Sequence, residues 1–154
     1  MGRGRAQSRV GIRSHRRARG FTLLEVMVTM LIVALLSALA MPSYVYYVTR
    51  GRIPEATANL AVKQVQLEQF YQDNRTYSGA PACESDITTS AYFSFSCTTQ
   101  TASTYTLTAT GLGPMAGFSY TLTQSNARST AAVRSGWTLP SPNTCWVTRK
   151  GGLC

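Results

Sequence analysis

An apolar stretch with one acid near its start most constrains how this chain can fold. It covers residues 20–44 and reads GFTLLEVMVTMLIVALLSALAMPSY, with Glu25 shortly after the leading glycine. From Val26 to Thr49 the chain carries no charged side chain. A helix rises about 1.5 Å per residue, so this segment is long enough to cross a hydrocarbon core of about 30 Å. The sequence therefore predicts a membrane-spanning helix.

Most of the net charge precedes this stretch. The chain has 15 basic and 6 acidic residues, a formal net charge of +9, but from Phe21 onward only eight basic and six acidic residues remain. The positive-inside rule places the N-terminal segment in the cytoplasm and the C-terminal part outside. The basic residues of that N-terminal segment are Arg3, Arg5, Arg9, Arg13, Arg16, Arg17 and Arg19.

Three interpretations of the apolar stretch remain open at this point. A secretory signal could be cleaved after Ala40, in the sequence Ala-Leu-Ala, and would release a domain that begins at Met41. A plain membrane anchor leaves Glu25 unexplained, because an unpaired carboxylate near the bilayer costs several kcal/mol. The third interpretation gives Glu25 a partner in an assembly of several copies.

The sequence RGFTLLEVMVTMLIVALLSALAMPSY resembles the N-terminus of type IV prepilins. The resemblance lies in the glycine, the aromatic residue, Thr-Leu-Leu-Glu, the apolar helix and Pro42, which all fall in register. It implies that residues 1–20 form a basic leader and that a prepilin peptidase cuts between Gly20 and Phe21. The same enzyme would methylate the new amine of Phe21. In the filament, Glu25 would pair with the amine of a neighbouring subunit, and Pro42 would soften the helix.

An amphipathic segment follows the membrane span. We predict one long, bent helix from Phe21 to about Asp73, with a transmembrane and assembly half (21–49) and an amphipathic half (50–73). Pro54 should add a second bend or a local break near Ile53. One face should cover a sheet, and another should contact neighbouring subunits or remain ordinary surface. The first face consists of Ala56, Leu60, Leu67, Phe70 and Tyr71, and the second of Ala58, Val62 and Val65.

The rest of the chain, residues 74–154, has the alternation of a sheet with one buried face. Aromatic or aliphatic residues alternate with Ser and Thr at period two, which is typical of half-buried strands. We predict an α+β fold, in which the long helix packs on a small antiparallel sheet. The predicted strands are 92–98, 104–110 and 118–124, with 130–134 as a fourth and 111–117 as a hairpin connection.

All four cysteines lie in the last half of the chain, and no pair has the C-x-x-C spacing of a zinc or redox site. An even number after a membrane segment indicates disulfides in an oxidising compartment. Three pairings are open, and we favour the local one, Cys83–Cys97 and Cys145–Cys154, over free buried thiols. The family resemblance implies that Cys145–Cys154 bounds the C-terminal contact loop of type IV pilins, which the major type II secretion pseudopilin generally lacks.

We expect no enzyme, no cofactor and no metal site. His15 is the only histidine and lies in the leader, and we find no nucleophile–base arrangement or phosphate-cradling loop. The resemblance instead implies a structural subunit of a type IV pilus, a minor pilin of the PilE-like group. It would cross the bacterial inner membrane once, with its head outside the cytoplasm, and then enter an extracellular pilus. Its partners would be other pilin subunits, the prepilin peptidase and the inner-membrane assembly machinery.

Two alternatives remain. No residue from Ile87 to Cys154 is acidic, and cations attract phosphates while indoles stack on bases. The chain could therefore be a DNA-binding competence pilin for DNA uptake, and a type II secretion pseudopilin is the second alternative. The candidate DNA contacts are Arg128, Arg134, Trp146, Arg149 and Lys150.

Overall fold

The structure is a computed structural model that describes residues 20–154, except for the side chains of residues 39–42. The leader residues 1–19, with their arginines and His15, lie outside the described residues. The chain divides into two compact units at the junction of Ala40 and Met41, and each unit is described by itself.

A single helix, α1, spans Leu23–Asn74 and confirms the predicted long helix. Of the second bend or local break predicted near Ile53, the break is wrong, because the helix is unbroken at Pro54; the bend stays a prediction. Ile53 and Ala56 are both fully buried, so packing holds this turn in place although proline lacks an amide hydrogen. The backbone is also helical at Pro42, and softening there in a filament stays a prediction.

Four strands form an antiparallel sheet in the order β1-β2-β3-β4. The first three predicted strands are confirmed, and the fourth begins two residues earlier than predicted. Gly111, at the end of the second strand, is needed for close approach, since a Cβ there would overlap the carbonyl oxygen of Met115. The strands are β1 (Phe93–Gln100), β2 (Tyr105–Gly111), β3 (Ser119–Thr123) and β4 (Arg128–Ala132).

The core lies between one stripe of α1 and the inner face of the sheet. The predicted sheet-facing side of the helix is confirmed, with Phe70 and Tyr71 half-buried at its edge. The second predicted face is exposed. The helix stripe consists of Ile53, Ala56, Leu60 and Leu67, and the sheet contributes Phe93, Phe95, Tyr105, Leu107, Ala109, Tyr120 and Leu122.

Polar contacts hold the segment between α1 and β1 against the helix. The ammonium group of Lys63 lies 2.8 Å from the Asp86 carboxylate. This carboxylate also accepts hydrogen bonds from the Thr89 hydroxyl and from backbone amides that follow it. These donors, the lysine foremost, hold the pKa of Asp86 well below its ordinary value of 3.8. Further along, the Ser90 hydroxyl donates to Glu55 at 2.6 Å.

Truncation of the buried helix stripe should unfold the head far more easily than truncation of the exposed face. Leu60 is fully buried, whereas Val62 is 55% exposed. We expect Leu60→Ala to lower the free energy of unfolding by about 2–5 kcal/mol, because it leaves a cavity in the core. The matched control Val62→Ala should change it by less than about 0.5 kcal/mol. Urea unfolding of the detergent-solubilised chain, followed by tryptophan fluorescence, measures both; equal effects would contradict the packing described.

The Asp86–Lys63 pair should make the free energy of unfolding depend on pH in the acidic range. A lowered carboxylate pKa stabilises the fold above the ordinary value of 3.8, and this contribution disappears as the pH falls through the folded pKa. Asp86→Asn should therefore reduce the urea midpoint at neutral pH and flatten its decline below about pH 4. Asp73→Asn, at an exposed acid near the end of α1, serves as the control. Parallel pH curves for wild type and Asp86→Asn would refute the role of the pair.

Candidate functional site

The predicted cleavage site lies immediately before the helix, in exposed backbone. Gly20 and Phe21 are exposed and outside regular structure. No atom lies within 4 Å of a Cβ built at Gly20, so nothing in the described chain itself requires glycine there. The resemblance assigns that requirement to the peptidase.

Thr22 and Glu25 form the start of α1. The backbone amide of Glu25 donates to the Thr22 hydroxyl oxygen at 3.2 Å, and Leu23 is the first helical residue. This is the spacing of a capping box, Thr-x-x-Glu, which sequence reasoning could have found but missed. An acid in the first turn is also favoured by the helix dipole. Glu25 is exposed in this single chain.

The first part of α1 is apolar on every side. Its large side chains are exposed all around the helix, and a window of mean hydropathy 2.5 makes it long and apolar enough to cross a membrane. Its hydroxyl groups are satisfied locally, since Ser37 donates to the Val33 carbonyl oxygen at 2.7 Å. A helix that is apolar all round needs lipid or other helices as its surroundings. Exposed members of this segment include Leu23, Leu24, Met27, Leu31, Leu35 and Leu36.

Both favoured disulfides are present, and the C-terminal segment is fixed to the sheet. The bonds are Cys83–Cys97 and Cys145–Cys154. The Tyr120 hydroxyl donates to the Val147 carbonyl oxygen at 3.1 Å. The Asn143 side chain pairs with both the backbone amide and the carbonyl of Thr130, at 2.9 and 2.8 Å. Asn143 therefore occupies hydrogen-bonding groups on the outer edge of β4.

Two of the candidate DNA contacts come together on the head. The guanidinium of Arg128 lies 4.8 Å from the centre of the Trp146 ring. The indole N–H of Trp146 donates to the Thr121 carbonyl oxygen at 2.9 Å, which fixes the ring beneath the arginine. An open surface cavity of about 290 Å³ adjoins this pair and contains no acid. Its lining residues are Thr123, Asn126, Ala127, Arg128, Ser129, Asn143 and Thr144.

The other three candidate cations lie elsewhere. Arg134 is half-buried and donates to the Pro114 carbonyl oxygen at 3.0 Å and to the Thr49 hydroxyl at 3.3 Å. The ammonium of Lys150 lies 5.6 Å from the ring centre of Tyr46 on α1. Arg149 is exposed on the same turn. The structure thus places Arg128 and Trp146 together in one group. Arg134 and Lys150 lie instead next to residues 46–49 of α1.

Two family models match the chain. The model described as "Prokaryotic N-terminal methylation motif" matches residues 15–41. The model described as "Type IV minor pilin ComP, DNA uptake sequence receptor" matches residues 42–125. The second match covers more than half of the 154 residues.

Similar proteins are also pilins. The type IV major pilin protein PilA of Myxococcus xanthus is 34% identical over 62 residues, which are 40% of this chain and 28% of that protein. The type IV major pilin protein PilE1 of Neisseria gonorrhoeae is 32% identical over 75 residues, 45% of this chain and 46% of that protein. The chain thus spans less than half the length of these curated relatives.

The fold has a solved counterpart. The crystal structure of the non-core minor pilin PilV of Neisseria meningitidis superposes with a TM-score of 0.50 at 16% identity, over 58% of this chain and 93% of that one. At this identity the likeness concerns the fold. Together with the family matches it confirms the type IV pilin interpretation. The chain therefore belongs to the type IV minor pilin ComP family.

Proposed function

We propose that this minor pilin is cut between Gly20 and Phe21, methylated on the new amine, and inserted into a pilus through its N-terminal helix. The observation that carries the proposal is the exposed scissile bond directly before a helix that is apolar on all sides. Before assembly, residues 21–49 hold the chain in the inner membrane with the head outside the cytoplasm. The prepilin peptidase and the inner-membrane assembly machinery are its partners there.

Glu25 acts in this proposal as the residue that sets the stagger between subunits. Cleavage creates a cationic amine at Phe21, and the first turn of a neighbouring helix presents the Glu25 carboxylate. Removing one partner from a buried ion pair leaves an uncompensated charge and costs about 3–5 kcal/mol. One axial offset between neighbouring helices satisfies both charges, and other offsets leave both unpaired.

A second surface contributes to packing between subunits. Val62 and Val65 are 55% and 58% exposed on the amphipathic half of α1, and Ala58 lies one turn before Val62. These small apolar side chains permit close approach of another helix. Burial of these side chains between subunits adds to the burial of the apolar segment, and the hydrophobic effect favours the burial of both surfaces.

Substitution of Glu25 should separate processing from assembly. We expect Glu25→Gln to be cut and methylated but to enter pili at least about tenfold less than wild type, because the amine of its neighbour loses its partner. Glu84→Gln, at an exposed acid of the head, is the matched control and should enter normally. N-terminal sequencing and mass measurement of the membrane-extracted and pilus fractions give both readouts. Mature wild-type protein that begins at Met1 or Met41 would refute the proposal.

A second candidate function, DNA binding in DNA uptake, is favoured by the Arg128–Trp146 pair. The matching family model is named for a DNA uptake sequence receptor, and residues 87–154 contain no acid to repel phosphates. In this proposal Arg128 contacts a phosphate, and Asn126 in the adjoining cavity supplies hydrogen bonds. Trp146 holds the arginine in place. Arg149 and Lys150 add exposed positive charge. Arg134 contributes mainly to the local potential, because it is half-buried and both of its terminal nitrogens already donate within the head.

Replacement of Arg128 should weaken DNA binding and its salt dependence. We expect Arg128→Ala to lower affinity for duplex DNA and to reduce the salt slope by about one, since one phosphate contact is lost. Arg75→Ala, at an exposed arginine just beyond α1, controls for the loss of one positive charge. Fluorescence anisotropy at two salt concentrations, with the purified chain in non-ionic detergent, measures both. Absence of salt-sensitive binding by wild type at micromolar protein would remove this function.

A further inference from the structure

Aromatic side chains surround α1 at the level where the head begins. Tyr44 and Tyr47 are 67% and 66% exposed. Tyr46 packs against Trp137 of the head, with ring centroids 5.9 Å apart. Successive helical residues rise about 1.5 Å, so the three tyrosines lie within about 5 Å along the axis. We call Tyr44, Tyr46, Tyr47 and Trp137 the tyrosine belt.

The belt faces more than one direction. Tyr44 and Tyr47 are three residues apart and share one side of the helix, whereas Tyr46 lies on another side. Trp137 extends that second side, because its ring also packs edge-on against Phe118, at a centroid distance of 4.9 Å. Tyr46 and Trp137 are therefore packed into the base of the head, whereas Tyr44 and Tyr47 remain exposed next to them.

The surroundings of the belt are cationic. The ammonium of exposed Lys150 lies over the Tyr46 ring, and exposed Arg149 is next to it in the chain. The sequence has no acid between Glu25 and Glu55, so no carboxylate lies in the helical turns on either side of the tyrosines. The base of the head thus combines amphipathic rings with the exposed cations Lys150 and Arg149.

We propose that the tyrosine belt and Lys150 contact anionic phospholipid headgroups and set the depth at which the unassembled head rests on the membrane. The proposal rests on the membrane anchoring proposed above. Tyrosine and tryptophan are enriched at membrane–water interfaces, where the ring is in apolar surroundings and the polar tip is wet. Lysine close to an anionic bilayer is attracted by its surface potential. The belt lies at the end of the uncharged stretch from Val26 to Thr49, where a spanning helix leaves the hydrocarbon.

The position of the belt favours lipid over DNA as its partner. One face of the Tyr46 ring is already covered by Lys150, and the same ring packs against Trp137. Tyr44 and Tyr47 lie near the end of the predicted membrane-spanning half (21–49), where DNA would have to displace the lipid surface. The Arg128–Trp146 group does not adjoin the membrane-spanning segment in the sequence, because Arg128 lies on the edge strand β4 and Trp146 in the C-terminal segment.

Tryptophan quenching by labelled lipids tests the proposal. The mature full chain is reconstituted into vesicles that carry a nitroxide on the lipid headgroup, with either phosphatidylglycerol or phosphatidylcholine as the bulk lipid. Flotation with the vesicles first establishes anchoring. We expect stronger quenching of Trp137 fluorescence in the anionic vesicles, and salt should reduce the difference. Wild type carries both tryptophans, and Trp146→Phe isolates Trp137.

Matched substitutions separate the charge from the aromatic contribution. Lys150→Gln should lower the ratio of docked to undocked heads about fivefold in anionic vesicles and leave it unchanged in zwitterionic ones. Arg75→Gln, which removes one charge just beyond the C-terminal end of α1, should have no effect in either. Replacement of both Tyr44 and Tyr47 by Ala should reduce quenching in both lipids, because the interfacial preference of a phenol ring does not need anionic headgroups.

Three outcomes would overturn the inference. If wild type and Lys150→Gln are each quenched equally in the two lipids, anionic headgroups are not the partner of the belt, although membrane anchoring still holds. Lys150→Gln that weakens duplex DNA binding without changing quenching would assign Lys150 to the DNA surface. Failure of the mature chain to float with vesicles would refute membrane anchoring itself, and the lipid contact with it.

Discussion

Burial of one helix stripe under the inner face of the sheet is the constraint on which the head depends. Ile53, Ala56 and Leu60 are fully buried at spacings of three and four residues. Burying a side chain of the size of Ile or Leu contributes about 1.5–3 kcal/mol. Proline inside a helix costs about 3 kcal/mol, so the burial of Ile53 and Leu60 together is enough to offset Pro54. The same packing leaves the opposite face of the helix exposed.

Local patterns in the sequence were sufficient for much of this architecture. The period-two alternation predicted β1 to β3, and helical spacing predicted Ala56, Leu60 and Leu67 of the buried stripe but not Ile53. The prediction failed where tertiary packing overrides a local rule, as at Pro54. It also placed β4 two residues late, because Arg128 and Ser129 carry no apolar signal and become a strand only by pairing with Leu122 and Thr121 of β3. The capping box at Thr22 was a readable local signal.

Contacts between distant segments could not be predicted in this way. Asn143 hydrogen-bonds the backbone of Thr130, and the Lys150 ammonium lies over the Tyr46 ring, although neither pair has a periodic spacing in the sequence. The candidate DNA contacts were predicted from charge, from the absence of acids after Asp86 and from tryptophans nearby in the sequence, none of which gives information about neighbours in space. Only the folded chain separates Arg128, stacked on Trp146, from Arg134, whose guanidinium is already hydrogen-bonded. Residue type thus predicted that the head surface is positively charged, but not which of its cations lie together.

The positive character of the head arises from the placement of its acids. Glu68 accepts hydrogen bonds from the hydroxyls of Tyr77 and Tyr105 at 3.0 and 3.3 Å. Burial first, and then this carboxylate, raises the pKa of Tyr77 to about 12. Glu55 and Asp86 are likewise used to hold the segment before β1. These acids therefore serve the packing of α1, whereas the sequence from Ile87 to Cys154, which forms the sheet and the C-terminal segment, has no acidic side chain. Since charges farther apart than about 8 Å are largely screened at physiological salt, the local placement of these acids, more than the net charge, sets the potential at the surface of the sheet.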